Sequence, residues 1–289
     1  MKIKKIFLSI LVIAIIIASI YLLLKGGQTH KKDDNKLQIV SSNFASYDFL
    51  RAIIGGNEDV ELTFLLGPGK DSHSYDPTAQ DLITIQNADL FVYIGGEMEK
   101  WAGKVLESLE DTDGKIICIA DGVETIEEKE VDGAEEEHEE EDEHHDHEEE
   151  GAFDEHIWTS PKNAIKMVET LEKTMEELDN KNAEKYKENS KEYIAKINEV
   201  DEKIQNIVDN KKRDRLVFGD KMPMQYFIDY YNLKVSSAFN GCSTETEPSA
   251  STIAYLEKKV KEEKIPVVLY IELNPGKVAN TSTTQCKFR

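Results

Sequence analysis

The 289-residue chain is poor in cysteine, in basic charge and in repeats. Its three cysteines, Cys118, Cys242 and Cys286, lie far apart and form no C-x-x-C. Such a sparse, odd set builds neither a disulfide framework nor a four-cysteine zinc site. Cys118, inside the strand-like apolar run 115–120, therefore reads as a small buried residue. Lys and Arg total 35 against 57 Asp and Glu, a net charge of −22. Binding a phosphate backbone needs clustered basic residues that release counterions, so nucleic acid is excluded as a partner. Neither an H-E-x-x-H helix nor an EF-hand loop occurs, and no solenoid period is visible.

The negative charge is concentrated. Between Glu124 and Glu150 there are 17 acidic residues and one lysine, so about −16 of the −22 sits in one tenth of the chain. Residues 132–150 hold no aromatic and no β-branched side chain. Too little apolar surface is present there to offset the entropy of ordering, which predicts a disordered loop. His138, His144, His145 and His147 punctuate it. Imidazoles set among carboxylates make a flexible, low-specificity metal chelator.

At the other extreme, residues 6–24 form an uncharged apolar run behind Lys2, Lys4 and Lys5. Nineteen helical residues are long enough to cross a bilayer, and the leading lysines favour a cytoplasmic N-terminus with the rest of the chain outside. The run is longer than a usual signal core and ends without a small-x-small cleavage site. Residues 1–25 are thus expected to act as a signal or anchor segment, uncleaved rather than removed, with 26–36 as a polar tether.

From Leu37 onward, strand and helix signals alternate. Strands are expected at 37–41, 60–66 and 89–94, and helices at Phe44–Ile54 (stopped by Gly55-Gly56), 78–88 and 101–109. This pitch implies an α/β lobe with a parallel sheet over 37–160. Ser160 and Pro161 open a helical pattern over 161–210, in which the polar stretch 179–182 marks a place for a short break; unbroken, it would span roughly 75 Å, enough to bridge two lobes. A second α/β lobe over 211–289 has strands at 215–218, 235–239 and 267–271 and helices at 224–231 and 248–264.

Two histidines stand where a cleft would hold a ligand. His73 follows the second strand, and His156 precedes the long helical stretch. Ligands of α/β lobes bind beyond the carboxyl ends of strands. Neutral imidazole suits zinc, and a carboxylate on the second ring nitrogen fixes the tautomer; Asp76 and Asp154 are candidates for that role.

Four ordered motifs carry a resemblance: residues 73–78 (HSYDPT), 88–101 (ADLFVYIGGEMEKW), 154–164 (DEHIWTSPKNA) and 245–249 (ETEPS). Together they resemble the zinc and manganese solute-binding proteins of ABC transporters, over most of the stretch from Leu37 to Gly276. The resemblance implies two lobes with parallel sheets linked by one long rigid helix, metal held between them, and His73 and His156 as ligands. It also implies a third ligand, His or Glu, five residues before a second-lobe tyrosine. If that tyrosine is Tyr226, the position holds Lys221, a poor ligand while protonated. Asp220 beside it is the substitute, with Glu245 and Glu247 as further carboxylates, although Glu247 adjoins the helix start at Pro248. The strand end near Ile271-Glu272 would supply a fourth, acidic ligand. The family continues with a further helix, strand and helix, whereas the tail 281–289 lacks apolar periodicity, so a truncated second lobe is expected. Zinc-type members carry a histidine- and acid-rich loop at the place of 132–150.

The reading is an extracytoplasmic, monomeric, non-enzymatic protein that captures Zn2+, with Mn2+ as the alternative, and delivers it to an ABC permease. It adjoins the membrane through its N-terminal segment. Imidazole-rich sites favour zinc, while oxygen-rich ones suit manganese. A metal-dependent surface adhesin or scaffold is the competing reading. A secreted zinc hydrolase is a weaker one, because no general base accompanies the histidines in a helical ligand pair.

Overall fold

Asn43 follows the first strand, and its side chain accepts the Ser46 N–H; this cap converts β1 (Leu37–Ser41) into α1 (Phe44–Ile54). Gly55 then ends α1 at φ 60°, a left-handed backbone that favours glycine. The computed structural model describes residues 36–70, 72–109, 113–134, 153–241 and 248–271. The unit continues as β2 (Val60–Phe64), α2 (Ala79–Gln86), β3 (Leu90–Tyr93), α3 (Lys100–Ser108) and β4 (Lys115–Cys118). Thr78 and Asp81 form a reciprocal capping box at the start of α2. All four strands are parallel, in the order β2-β1-β3-β4.

That order explains why the strands are apolar on both faces. Ile39, Leu90 and Val92 pack with Leu50, Ile53, Met167 and Leu171, while Val40 and Phe91 pack with Ile85 and Val105. The chain leaves β1 toward β2 and then returns to β3 on the other side, so the switch point of the sheet lies between β1 and β3. Loops at the carboxyl ends of such strands are where ligands gather.

The stretch 161–210 is not one continuous helix. It resolves into α4 (Pro161–Leu178), capped by Ser160 with Pro161 at its first position, and α5 (Ala183–Asp209), separated by a 3-10 turn at Asn180–Asn182. The break weighed at 179–182 is present, and Asp179 builds it by accepting from the Asn182 side chain (2.7 Å) and the Tyr186 hydroxyl (2.6 Å). After the turn, α5 climbs α1 from its end toward its start. Asn189 donates to the Ile53 carbonyl (2.8 Å) and the Tyr193 hydroxyl to Asp48 (2.6 Å). At its far end Asp201 receives the hydroxyls of Tyr231 (2.7 Å) and Tyr230 (3.0 Å) from the second lobe. Thus α5, roughly 40 Å long at about 1.5 Å per residue, is the long helix that carries the chain between lobes.

The second lobe contains β5 (Arg215–Phe218), α6 (Gln225–Tyr230), β6 (Lys234–Ser237) and α7 (Ala250–Glu262). β5 and β6 are parallel, and Leu269 pairs with Phe218 on the other side of β5, so the strand expected at 267–271 is reduced to one bridge. Val217, Phe239, Leu256 and Val260 form one core; Phe218, Met222 and Ile228 form another, into which Val131 inserts. Residues just before the acid-rich segment therefore pack on the second lobe, although they follow the first-lobe strands in sequence. Among the described residues no helix is long and apolar enough to cross a membrane. The apolar run 6–24, the loop histidines, Cys242, Glu245, Glu247, Cys286 and the C-terminal tail lie outside the described residues. Cys118 is half-buried and free, its thiol 3.2 Å from the Ile94 carbonyl.

Candidate metal centre

His73 sits beyond β2. Leu65 still bonds to Ser41 (2.9 Å), and then Gly67 and Gly69, at φ 72° and 75°, turn the chain into the 3-10 turn Ser72–Ser74. The loop is fastened just after the histidine: the Tyr75 hydroxyl donates to Asp81 (2.8 Å), and its ring meets Trp101 edge-on at 5.3 Å. Burial and the Asp81 carboxylate both push the Tyr75 hydroxyl well above its usual value. His73 itself is exposed, as is Asp76.

His156 is the opposite case, only 6% exposed. Asp154 Oδ1 accepts the His156 backbone N–H (2.8 Å) and stands 3.0 Å from ring Nδ1. Asp154, itself 1% exposed, thereby engages Nδ1 and leaves Nε2 as the ring nitrogen directed to other uses. Trp158 flanks the ring at 5.5 Å. Asp154, one of the two carboxylates expected to fix a tautomer, thus stands at a ring nitrogen of His156.

The two imidazoles face each other with centroids 6.1 Å apart and planes inclined at 42°. Rings sharing one tetrahedral zinc, with bonds of about 2.0–2.1 Å, lie roughly 5–6 Å apart. The observed pair thus needs only a small approach to close on one ion.

Second-lobe groups reach the same place. Tyr226 packs into the first-lobe core and accepts the Ile126 N–H at 3.1 Å. Burial, with Asp154 and Glu155 nearby, pushes its hydroxyl up to about 12. A Cβ on Gly241 would lie 3.5 Å from Asp154 Oδ2. Asp220 is 2% exposed, and both its oxygens receive backbone N–H groups: Oδ1 from Lys221 (2.9 Å) and Oδ2 from Ile271 (3.2 Å). It joins the segment after β5 to the segment after the Leu269 bridge. Among the described residues, no three His, Cys, Asp or Glu side chains are grouped to hold a metal ion; the structure brings His73 and His156 together and does not add Asp220 to them. A groove of about 1250 Å³, lined by Phe44, Leu66, Trp158, Val200 and Phe227 among others, opens beside the His73 loop, but neither histidine lines it.

The sequence reading missed the buried carboxylates of Glu99 and Glu155, 3% and 1% exposed. Glu99 accepts from Ile94 N–H (2.5 Å) and Gly95 N–H (3.1 Å), and Glu155 from Met98 N–H (2.8 Å). Burial, reinforced by Glu155, pushes the Glu99 carboxyl up despite these bonds. Each lies inside one of the four motifs, Glu99 in 88–101 and Glu155 in 154–164.

This facing pair of histidines in a two-lobed α/β protein coincides with a family match over residues 39–287, to ZnuA, the periplasmic zinc-uptake complex component A. The chain belongs to this family. It is 34% identical over 90% of its length to the high-affinity zinc uptake system protein ZnuA of Bacillus subtilis, covering 78% of that protein. It is 32% identical, over 93% of its length, to the zinc-binding lipoprotein AdcA of Streptococcus pneumoniae (strain R6), of which it spans about half (52%). Among solved structures, the Zn(II)-bound ZnuA-like domain of S. pneumoniae AdcA matches with a TM-score of 0.69 and 27% identity, covering 88% of this chain and 85% of that one. The metal-dependent lipoprotein YcdH of B. subtilis matches with the same score and identity, covering 86% and 84%. The two-lobed α/β architecture with parallel sheets and a long connecting helix is the architecture of this family.

Proposed function

We propose that the protein captures one zinc ion outside the cell membrane and hands it to an ABC permease, acting as a binding protein and not as an enzyme. The observation that carries this reading is the facing pair His73 and His156, with Asp154 on Nδ1 of the second ring. The family membership and the zinc-binding relatives support it. His73 and His156 serve as the first two ligands. Asp220 and Glu245 remain the second-lobe candidates: Gly241 stands against Asp154, and Glu245 lies in the segment that follows it in sequence. The N-terminal apolar run tethers a monomer to the membrane, and His138, His144, His145 and His147 gather metal.

Chelator-competition titration with zinc and manganese tests the proposal. The expected result is one tight zinc equivalent in the wild type, lost in both His73→Ala and His156→Ala. A wild-type protein with no tight zinc equivalent overturns it.

A further inference from the structure

The established parts of the site leave one buried acid without a role. Glu155 lies directly between Asp154 and His156 in sequence and is 1% exposed. Its Oε1 reaches the backbone N–H of Met98, 57 residues earlier, at 2.8 Å. Met98 belongs to the turn Glu97–Glu99 that follows β3. The inner side of the same turn is held by Glu99, whose carboxylate takes the N–H groups of Ile94 and Gly95 where β3 ends. The β3 exit is thus gripped by two carboxylates, and one of them is covalently adjacent to His156.

Packing at this contact allows little play. Gly96 adopts φ 75°, and a Cβ there would lie 2.4 Å from Glu155 Cγ and 2.8 Å from its Oε1. Backbone and acid are therefore in direct contact, and a glycine is required at that position both for its conformation and for the space. Asp154 fixes the rotation of the imidazole, but nothing in that local bond fixes where the 154–156 segment sits relative to the sheet. The bond from Met98 to Glu155 does so, because Ile94 and Gly95 are the direct continuation of the central strand β3.

We infer that Glu155 is a positioning residue for the metal centre: by accepting the Met98 N–H it pins the His156 segment to the carboxyl end of β3, at the distance from His73 that one ion requires. The inference rests on the reading of His73 and His156 as ligands. It concerns reach and hydrogen bonding, not charge. A glutamine has the same reach and keeps an acceptor oxygen, whereas aspartate keeps the charge but is one methylene too short.

Zinc affinity is measured by chelator competition on the full chain for wild type, H156A, E155Q and E155D, with the melting temperature of each metal-free protein as a folding control. The expected outcome is that E155Q stays within about threefold of wild type while E155D weakens zinc binding roughly 10- to 100-fold, the range for groups that orient a ligand from behind. E155D binding like wild type overturns the inference, as does E155Q losing affinity tenfold or more. Should E155D fail to fold, the E155Q arm alone decides. Absence of a tight site in wild type, or its persistence in H156A, would instead strike the ligand assignment itself.

Discussion

Asp154 Oδ1 holds His156 twice, through the backbone N–H at 2.8 Å and ring Nδ1 at 3.0 Å, so one carboxylate oxygen sets both the start of the histidine's peptide and the tilt of its ring. Both groups are almost wholly buried. A ring fixed in this way can offer Nε2 without a search among rotamers, whereas His73 is exposed.

Removing that carboxylate should therefore cost affinity more than structure. Asp154→Ala is expected to weaken zinc binding about 10- to 100-fold, the usual cost of losing a group that orients a metal-bound histidine. Asp154→Asn, which keeps an acceptor oxygen, should lose less. Equal affinities for wild type and Asp154→Ala, measured by chelator competition, would show that the ring needs no such support.

Asp220 makes a different prediction. Its two oxygens join the Lys221 and Ile271 N–H groups, so Asp220→Ala leaves two backbone donors without that acceptor. Hydrogen bonds to charged groups contribute about 1.5–3 kcal/mol each, so metal-free stability should fall by an amount of that order or more. Urea unfolding without zinc measures this separately from any effect on affinity. An unchanged midpoint would leave Asp220 free of the structural role and strengthen its case as a ligand.

The first lobe was legible in the sequence because local signals there agree with tertiary packing. Asn43, Thr78 and Ser160 cap the helices that their positions announce, and the apolar strands are buried on both faces. The break at 179–182 was visible only as polar residues, since its cause, Asp179 reaching Tyr186 one turn into the next helix, is a contact rather than a pattern. Contacts distant in sequence were not legible at all. Nothing along the chain announces that Val131 inserts beside Phe218 and Met222, or that Glu155 reaches back to Met98. His73 and His156 were found through their motifs; the approach of their rings required the fold.

The start of the acid-rich segment should make an acid-sensitive contribution to stability. Asp132 accepts from the Tyr255 hydroxyl and pairs with Arg215 (3.1 Å) and Lys259 (3.5 Å). Burial alone would push its carboxyl up, but Tyr255, Lys259 and Arg215 outweigh that and hold it below the usual value. A carboxyl lowered on folding stabilises above its unfolded value, near 3.9, and this contribution disappears as pH falls through the folded value. The melting-temperature gap between wild type and Asp132→Asn is therefore expected at neutral pH and should close below about pH 4. A gap that persists at lower pH would show that the cluster acts through packing alone.

Ties between the lobes include the Tyr226 hydroxyl to Ile126, Asp201 to Tyr230 and Tyr231, and Val131 within the second-lobe core. A wide hinge would have to break contacts at each, so zinc capture should involve local movement of the exposed His73 loop and little rotation of the lobes. Small-angle scattering with and without zinc is expected to give nearly superimposable profiles. Loosening one tie should be detectable: Tyr226→Phe leaves the half-buried Ile126 N–H without this acceptor, at a cost of about 1 kcal/mol. Hydrogen exchange should then rise around Ile126 and at the following residues that run onto the second lobe. A large change in scattering radius when the wild type takes up zinc would mean that these ties open during capture, and the long helix and the 126–131 connection would then have to be hinges instead of struts.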